Sequence, residues 1–254
     1  MTPWIHLTKK ELRLGFPAFL FSMIGSFGVF VLWFVLGIES GFIWEGMMMW
    51  SVLAILFNFF YLVFYMSYSL NAERKRMHLW LHNPLPTYKL LLAKFVSGLF
   101  YMFIFLFTII IVIGVSYGNV NFSMQMDDWK MTFYLSVAYY LIFIVSNGWG
   151  FTFLWTVYMS FIKFIHPFFS FVLTIVILMF LFWMIDLSSV LFQWGEIESH
   201  LITGFEFTAT EETFHLNFGE IPTTFYIGHF IGALLLILFF FIGSAWILDR
   251  KVEV

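Results

Sequence analysis

Six long stretches of this chain carry no Asp, Glu, Lys or Arg. They lie between Arg13 and Glu39, Glu45 and Glu73, Lys94 and Asp127, Lys130 and Lys163, Lys163 and Asp186, and Glu220 and Asp249. Each holds more than 20 residues, and a hydrocarbon core of about 30 Å takes roughly 20 residues of α-helix to cross. Spanning helices are therefore predicted near 16–38, 47–70, 93–116, 131–156, 167–187 and 224–247. The runs lack the apolar–polar alternation of a membrane β-barrel. The predicted fold is an all-α integral membrane protein, a single transmembrane domain over 1–254.

Composition makes a soluble alternative untenable. Hydrophobic residues make up 62% of the chain and charged ones 11%, against about 45–50% and about 25% in soluble domains. The excess is bulky, with 38 phenylalanines, and leaves too little polar surface to coat a fold of this size. There is no cysteine, so disulfide scaffolds, thiol catalysis and thiolate metal sites are excluded. A net charge of −3 offers no basic excess for a nucleic-acid partner.

The cations orient the bundle. With an even number of spans both termini share one side. That side collects Lys9, Lys10, Arg13, Arg74, Lys75, Arg76, Lys89, Lys94, Lys163, Arg250 and Lys251, leaving only Lys130 opposite. Lys and Arg mark the cytoplasmic face, so both termini are expected there, in a multi-pass protein of a bacterial cytoplasmic membrane. The run from Phe16 to Ile38 is too long for a signal peptide and no A-x-A pattern follows it. The first span is expected to remain in the mature protein.

Three segments stand outside the spans. Residues 2–15 place His6, Lys9, Lys10 and Arg13 on one helical face and Trp4, Leu7 and Leu14 on another. That pattern predicts an amphipathic helix lying at the cytoplasmic interface, against the lipid surface, with a plain topogenic flank as the alternative. The link 71–94 continues the second helix through Glu73, Arg74, Lys75 and Arg76. It then carries Leu79-Trp80-Leu81 and is broken by Pro84 and Pro86. Thr87 is positioned to cap the third helix. Apolar groups framed by charge mark a docking surface, either for a partner or for the chain's own N-terminal helix. The outer segment 188–223 holds Glu196, Glu198, Glu206, Glu211, Glu212 and Glu220 without Lys or Arg. A short helix is expected to begin at Thr208 or Thr210, with Phe205, Phe207, Phe214 and Phe218 packing back on the bundle as an extracellular lid. The carboxylates either solvate this loop or steer a cationic peptide.

Candidate chemistry within the chain is sparse. No G-x-x-x-x-G-K-[ST] phosphate loop and no H-E-x-x-H zinc motif occurs. His78 and His82 share a helical face but have no third ligand nearby, and Glu211-Glu212 sits in a polar loop. No catalytic residue, metal site or cofactor of its own is expected. The spans hold few ionisable groups, whereas ion-coupled transporters bury working carboxylates. Asn58 and Asn147 are expected to form interhelical hydrogen bonds, and Gly148 and Gly150 to permit close packing. Energy for any transport must come from elsewhere.

The pattern after span two carries a resemblance. Glu73-Arg74, the apolar Leu79-Trp80-Leu81, Pro84-Leu85-Pro86-Thr87 and then Lys94 resemble the corresponding segment in permease subunits of the second class of ATP-binding-cassette exporters. The likeness in topology extends over the whole chain. Met77-His78 stands where that family often has Gly-Thr, and Ala93 precedes Lys94 where glycine is common. The resemblance implies a non-catalytic permease paired with a second copy or a paralogue. It also implies a separate cytoplasmic ATPase that holds ATP and Mg, and a link after span two that acts as a coupling helix. Size and pattern are similar to the branch that exports antimicrobial or cytolytic peptides. Export of a lipid-linked polysaccharide, or a non-transporting scaffold or sensor, are the alternatives.

Overall fold

The computed structural model describes residues 3–74, 86–117, 129–209 and 214–252, with the side chains of 3, 117–133, 187–189, 198–223 and 251–252 left aside. Among the described residues six α-helices follow one another: α1 Pro3–Ser40, α2 Ile43–Arg74, α3 Thr87–Tyr117, α4 Trp129–Phe161, α5 Pro167–Leu191 and α6 Ile227–Ile247. All six are long and apolar enough to cross a bilayer. A π-helical turn, Leu248–Val252, follows α6.

α2 occupies the middle, packed against α1, α3 and α4, while α4 pairs closely with α6. Tyr61, Leu62, Tyr65 and Met66 of α2 form the centre of the core with Leu91, Met102, Ile144 and Trp149. Two of these side chains fill hollows left by glycines. A Cβ on Gly98 would stand 2.6 Å from the Tyr65 ring, and one on Gly148 would stand 2.6 Å from Leu62 Cδ2. The expected close packing at Gly148 thus has a definite partner. Outward-facing Phe21, Ile24, Phe27, Phe57, Phe60, Phe107 and Phe182 are exposed, as a lipid-facing surface requires. Gly41, at φ +80°, turns the chain between α1 and α2, a conformation only glycine adopts without strain.

The structure departs from the sequence reading in four places. The segment 2–15 does not form a separate interfacial helix: α1 runs unbroken from Pro3 to Ser40 through Pro17, about 57 Å at 1.5 Å per residue. The reason is a buried stripe, Leu7, Glu11, Gly15 and Ala18, that faces α2 and α3. Tyr101 Oη donates to Leu12 O at 2.7 Å, and Ser97 Oγ to Thr8 O at 3.5 Å. Packing on neighbouring helices holds this segment upright.

The outer segment is a β-hairpin, so the fold is a helical bundle with a two-stranded sheet and not all-α. β1 Glu196–Ala209 pairs antiparallel with β2 Phe214–Tyr226, with one irregularity between Ile202 and Gly204. Thr208 lies in β1 and starts no helix, Thr210 lies outside the described residues, and α6 begins at Ile227 because β2 runs to Tyr226. The Phe205, Phe207, Phe214 and Phe218 side chains are not among those described. Thr87 does not cap α3 with its side chain. Pro86 O takes that place, accepting from Lys89 N at 2.9 Å.

The two asparagines make no interhelical bond among the described residues. Asn58 is fully buried with neither amide atom partnered, while Asn147 Nδ2 donates to Phe143 O of its own helix at 2.8 Å. Tyr61, one turn beyond Asn58, likewise buries an unpartnered hydroxyl.

Candidate functional site

Four helix ends meet at one end of the bundle: the start of α1, the end of α2, the start of α3 and the end of α6. The charged residues of the link motif lie there, together with several that sequence reasoning passed over. Lys94, on α3, is wholly buried, yet its side chain is well supplied. Nζ donates to Glu11 Oε2 at 2.8 Å and to Ser69 Oγ at 3.0 Å, and it lies 2.7 Å from Glu73 Oε2. Ser69 and Glu73 are one turn apart on α2, so a single helical face supplies both.

Lys10 closes the cluster from the solvent side, with Nζ 3.3 Å from Glu73 Oε1. Exposure grades from 0% at Lys94 and 1% at Glu11 to 13% at Glu73 and 57% at Lys10. Two lysines and two glutamates balance in formal charge, and their mutual attraction offsets part of the cost of taking the inner three out of water. Satisfaction is incomplete: Glu11 Oε1 has no donor among the described residues, and Glu73 Oε2 is held to Lys94 by charge at 2.7 Å without a well-aligned hydrogen bond.

Thr87 extends the arrangement to the far end of the chain. Its Oγ1 donates to Asp249 Oδ1 in the turn after α6. On the other side, Trp155 Nε1 of α4 reaches Asn71 Oδ1 of α2 at 3.5 Å. The residues just before and just after the 75–85 connector are therefore each fastened to other helices: Glu73 to α1 and α3, Thr87 to the end of α6.

The remaining site residues divide plainly. Arg74 is exposed, as are Lys9 and Arg13, which with His6 and Lys10 form a basic face on α1. Leu79, Trp80, Leu81, Pro84 and Leu85, the expected docking groups, lie outside the described residues, as do Glu211 and Glu212. Glu196 is exposed at the start of β1, and Glu198 and Glu206 stand in that strand opposite Thr224 and Asn217.

Sequence reasoning missed Glu11, Ser69 and Asp249 as members of the cluster. It also passed over Gly114-Val115-Ser116-Tyr117-Gly118, which has the spacing of a hydrolase nucleophile elbow. That motif works on a strand-to-helix turn with an exposed serine. Here Ser116 sits in the last turn of α3, wholly buried, with no partner for its hydroxyl among the described residues.

A largely buried cluster whose carboxylates are already paired is poorly suited to acid–base chemistry on a solute. It is well suited to joining helices, since any movement of α1, α2 or α3 relative to the others exposes or strands a buried charge. Among the described residues no three His, Cys, Asp or Glu side chains converge as a metal site. No family model, no curated protein and no solved structure matches this chain.

Proposed function

We propose that this chain is the membrane-spanning subunit of an ATP-driven exporter, paired with a second copy or paralogue and driven by a separate cytoplasmic ATPase. The reading rests above all on the bracing of the 75–85 connector. A linker that only joins two helices needs a few residues and no fastening. This one leaves Glu73 in a buried ion cluster and returns at Thr87 bonded to Asp249. A push on the connector is delivered to α1 and α3 through one end and to α6 through the other. Nucleotide closure in a docked ATPase supplies such a push, and ATP and Mg belong to that partner.

An amphipathic or hydrophobic peptide, toxin or drug is the proposed cargo. The phenylalanine-rich, charge-poor spans suit it better than a hydrophilic solute. Glu196, Glu198, Glu206, Glu211 and Glu212 on the outer segment favour the approach or exit of a cationic one, and the hairpin serves as a lid.

The test is to express the chain with an ATP-binding-cassette ATPase encoded beside it. The purified chain alone should turn over no ATP, and the ATPase should co-purify. Trp80→Ala with Leu81→Ala should weaken that association by roughly 30-fold, the loss of an apolar interface anchor of about 2 kcal/mol, with membrane insertion normal. A double variant that keeps the ATPase and exports like the parent sinks the coupling role.

A further inference from the structure

α5 is the helix least embraced by the bundle, packing on α4 and only sparingly on α6. Between it and the α4–α6 pair lies a cleft of about 280 Å³. Tyr139, Phe143 and Asn147 of α4, Phe182 of α5, and His229 and Ala233 of α6 shape it. Phe143 and Phe182 are partly exposed, so the cleft opens sideways toward the bilayer. Among the described residues no Asp, Glu, Lys or Arg lines it, so they offer an ionic ligand no carboxylate, ammonium or guanidinium partner.

Tyr139 and His229 mark the end nearest the hairpin. The other end reaches Asn147, eight residues along α4 from Tyr139, about 12 Å deeper. Asn147 lies near the middle of a membrane-crossing helix and is not buried by protein. A polar side chain at that depth is costly unless something satisfies it. Its Nδ2 is committed to Phe143 O, which makes Oδ1 the atom that can accept from a ligand. With about 30 Å³ as one water's share of liquid volume, a cleft of about 280 Å³ has room for a small ring system. Aromatic walls favour an aromatic occupant held edge-to-face or offset.

We propose that this cleft is an intramembrane binding site for a small neutral aromatic ring bearing one hydrogen-bond donor. The indole or phenol class fits, whether as a free molecule or as a side chain of a membrane-bound peptide, with the donor on Asn147 Oδ1. This goes beyond the exporter reading and does not depend on it, because the site is complete within one chain.

The test uses the full chain in lipid nanodiscs without an ATPase. Photolabelling with 5-azidoindole, mapped by mass spectrometry, should concentrate in the peptides around 139–147 and 229–236. Excess indole should suppress that labelling about tenfold more effectively than 1-methylindole, which lacks the donor. Asn147→Leu should abolish the difference between the two competitors, and Ala233→Phe should reduce labelling several-fold by filling the cleft. Gly25→Phe, at a position on α1 open to its surroundings, should leave labelling unchanged. Protection by N-acetyl-tryptophanamide as well as indole assigns the site to a peptide side chain, and protection by indole alone to a free ligand. Labelling spread evenly over the lipid-facing helices overturns the proposal. So does equal competition by indole and 1-methylindole in the unsubstituted chain, a comparison that needs no variant to fold.

Discussion

Lys94 is the residue on which the buried ion cluster turns. Its ammonium has left water entirely, and two carboxylates and a hydroxyl within 3.0 Å stand in for the lost hydration. Removing one partner of such a set leaves the others buried and unpaired, which commonly costs about 3–5 kcal/mol. Lys94→Met is therefore expected to lower the thermal midpoint in detergent markedly. Adding Glu11→Gln and Glu73→Gln to it should restore most of the loss, because the orphaned charges go with the lysine. A Lys94→Met protein that melts with the parent would show that the pairing contributes nothing. The link motif singled out Glu73, Thr87 and Lys94, though Thr87 as a helix cap and none of the three as part of a buried cluster. Glu11 was legible in principle: it interrupts the otherwise small and apolar stripe Leu7, Gly15 and Ala18, and a carboxylate on a buried stripe requires a cation. Ser69 and Asp249 gave no such sign. A serine within a long helix most often bonds its own backbone, and an aspartate beside Arg250 reads as a charged flank.

At the scale of elements, glycine has two opposite roles in this bundle. Gly98 and Gly148 let α3 and α4 close on Tyr65 and Leu62, whereas Gly25 and Gly28 of α1 have nothing within 4 Å of a notional Cβ. The same substitution should thus change sign with position. Gly98→Ala and Gly148→Ala overpack a closed contact and should each destabilise by about 1–3 kcal/mol. Gly25→Ala and Gly28→Ala should be neutral or gain up to about 1 kcal/mol from helix propensity. Unfolding midpoints of the four variants check this, and a common sign would refute the assignment of the contacts. The six helices themselves were plain in the sequence because lipid forbids charge over a full crossing, so the charges bracket each span. Two elements were not. The cations of 2–15 suggested a helix lying at the interface, but contacts to α2 and α3 carry α1 straight through Pro17. The hairpin was hidden by its turn-like Thr and Glu residues, although Phe205-Glu206-Phe207 and Phe214-His215-Leu216-Asn217-Phe218 alternate with the period of a strand.

Across the whole molecule, charge and geometry bear on the same asymmetry. The ion pairs Lys10–Glu73 and Lys94–Glu11 and the Thr87–Asp249 bond gather the start of α1, the end of α2, the start of α3 and the end of α6 at one end. The hairpin stands between α5 and α6 at the other. Eleven of the 12 cations fall in segments that this up-and-down path assigns to the first end. Each Lys or Arg there adds to the bias that retains a loop in the cytoplasm, so a reversed insertion would have to carry all eleven across the membrane. The absence of cysteine makes the orientation directly measurable, since a single introduced cysteine is the sole thiol. Lys9→Cys, Lys89→Cys and Arg250→Cys should resist a membrane-impermeant maleimide in intact cells and react once the membrane is opened. Gln193→Cys, just before β1 and exposed, should react in intact cells. Labelling of position 9 or 250 with protection of 193 would invert the protein. The bracing of the connector would then face away from any cytoplasmic ATPase, and the exporter reading would fall with the topology.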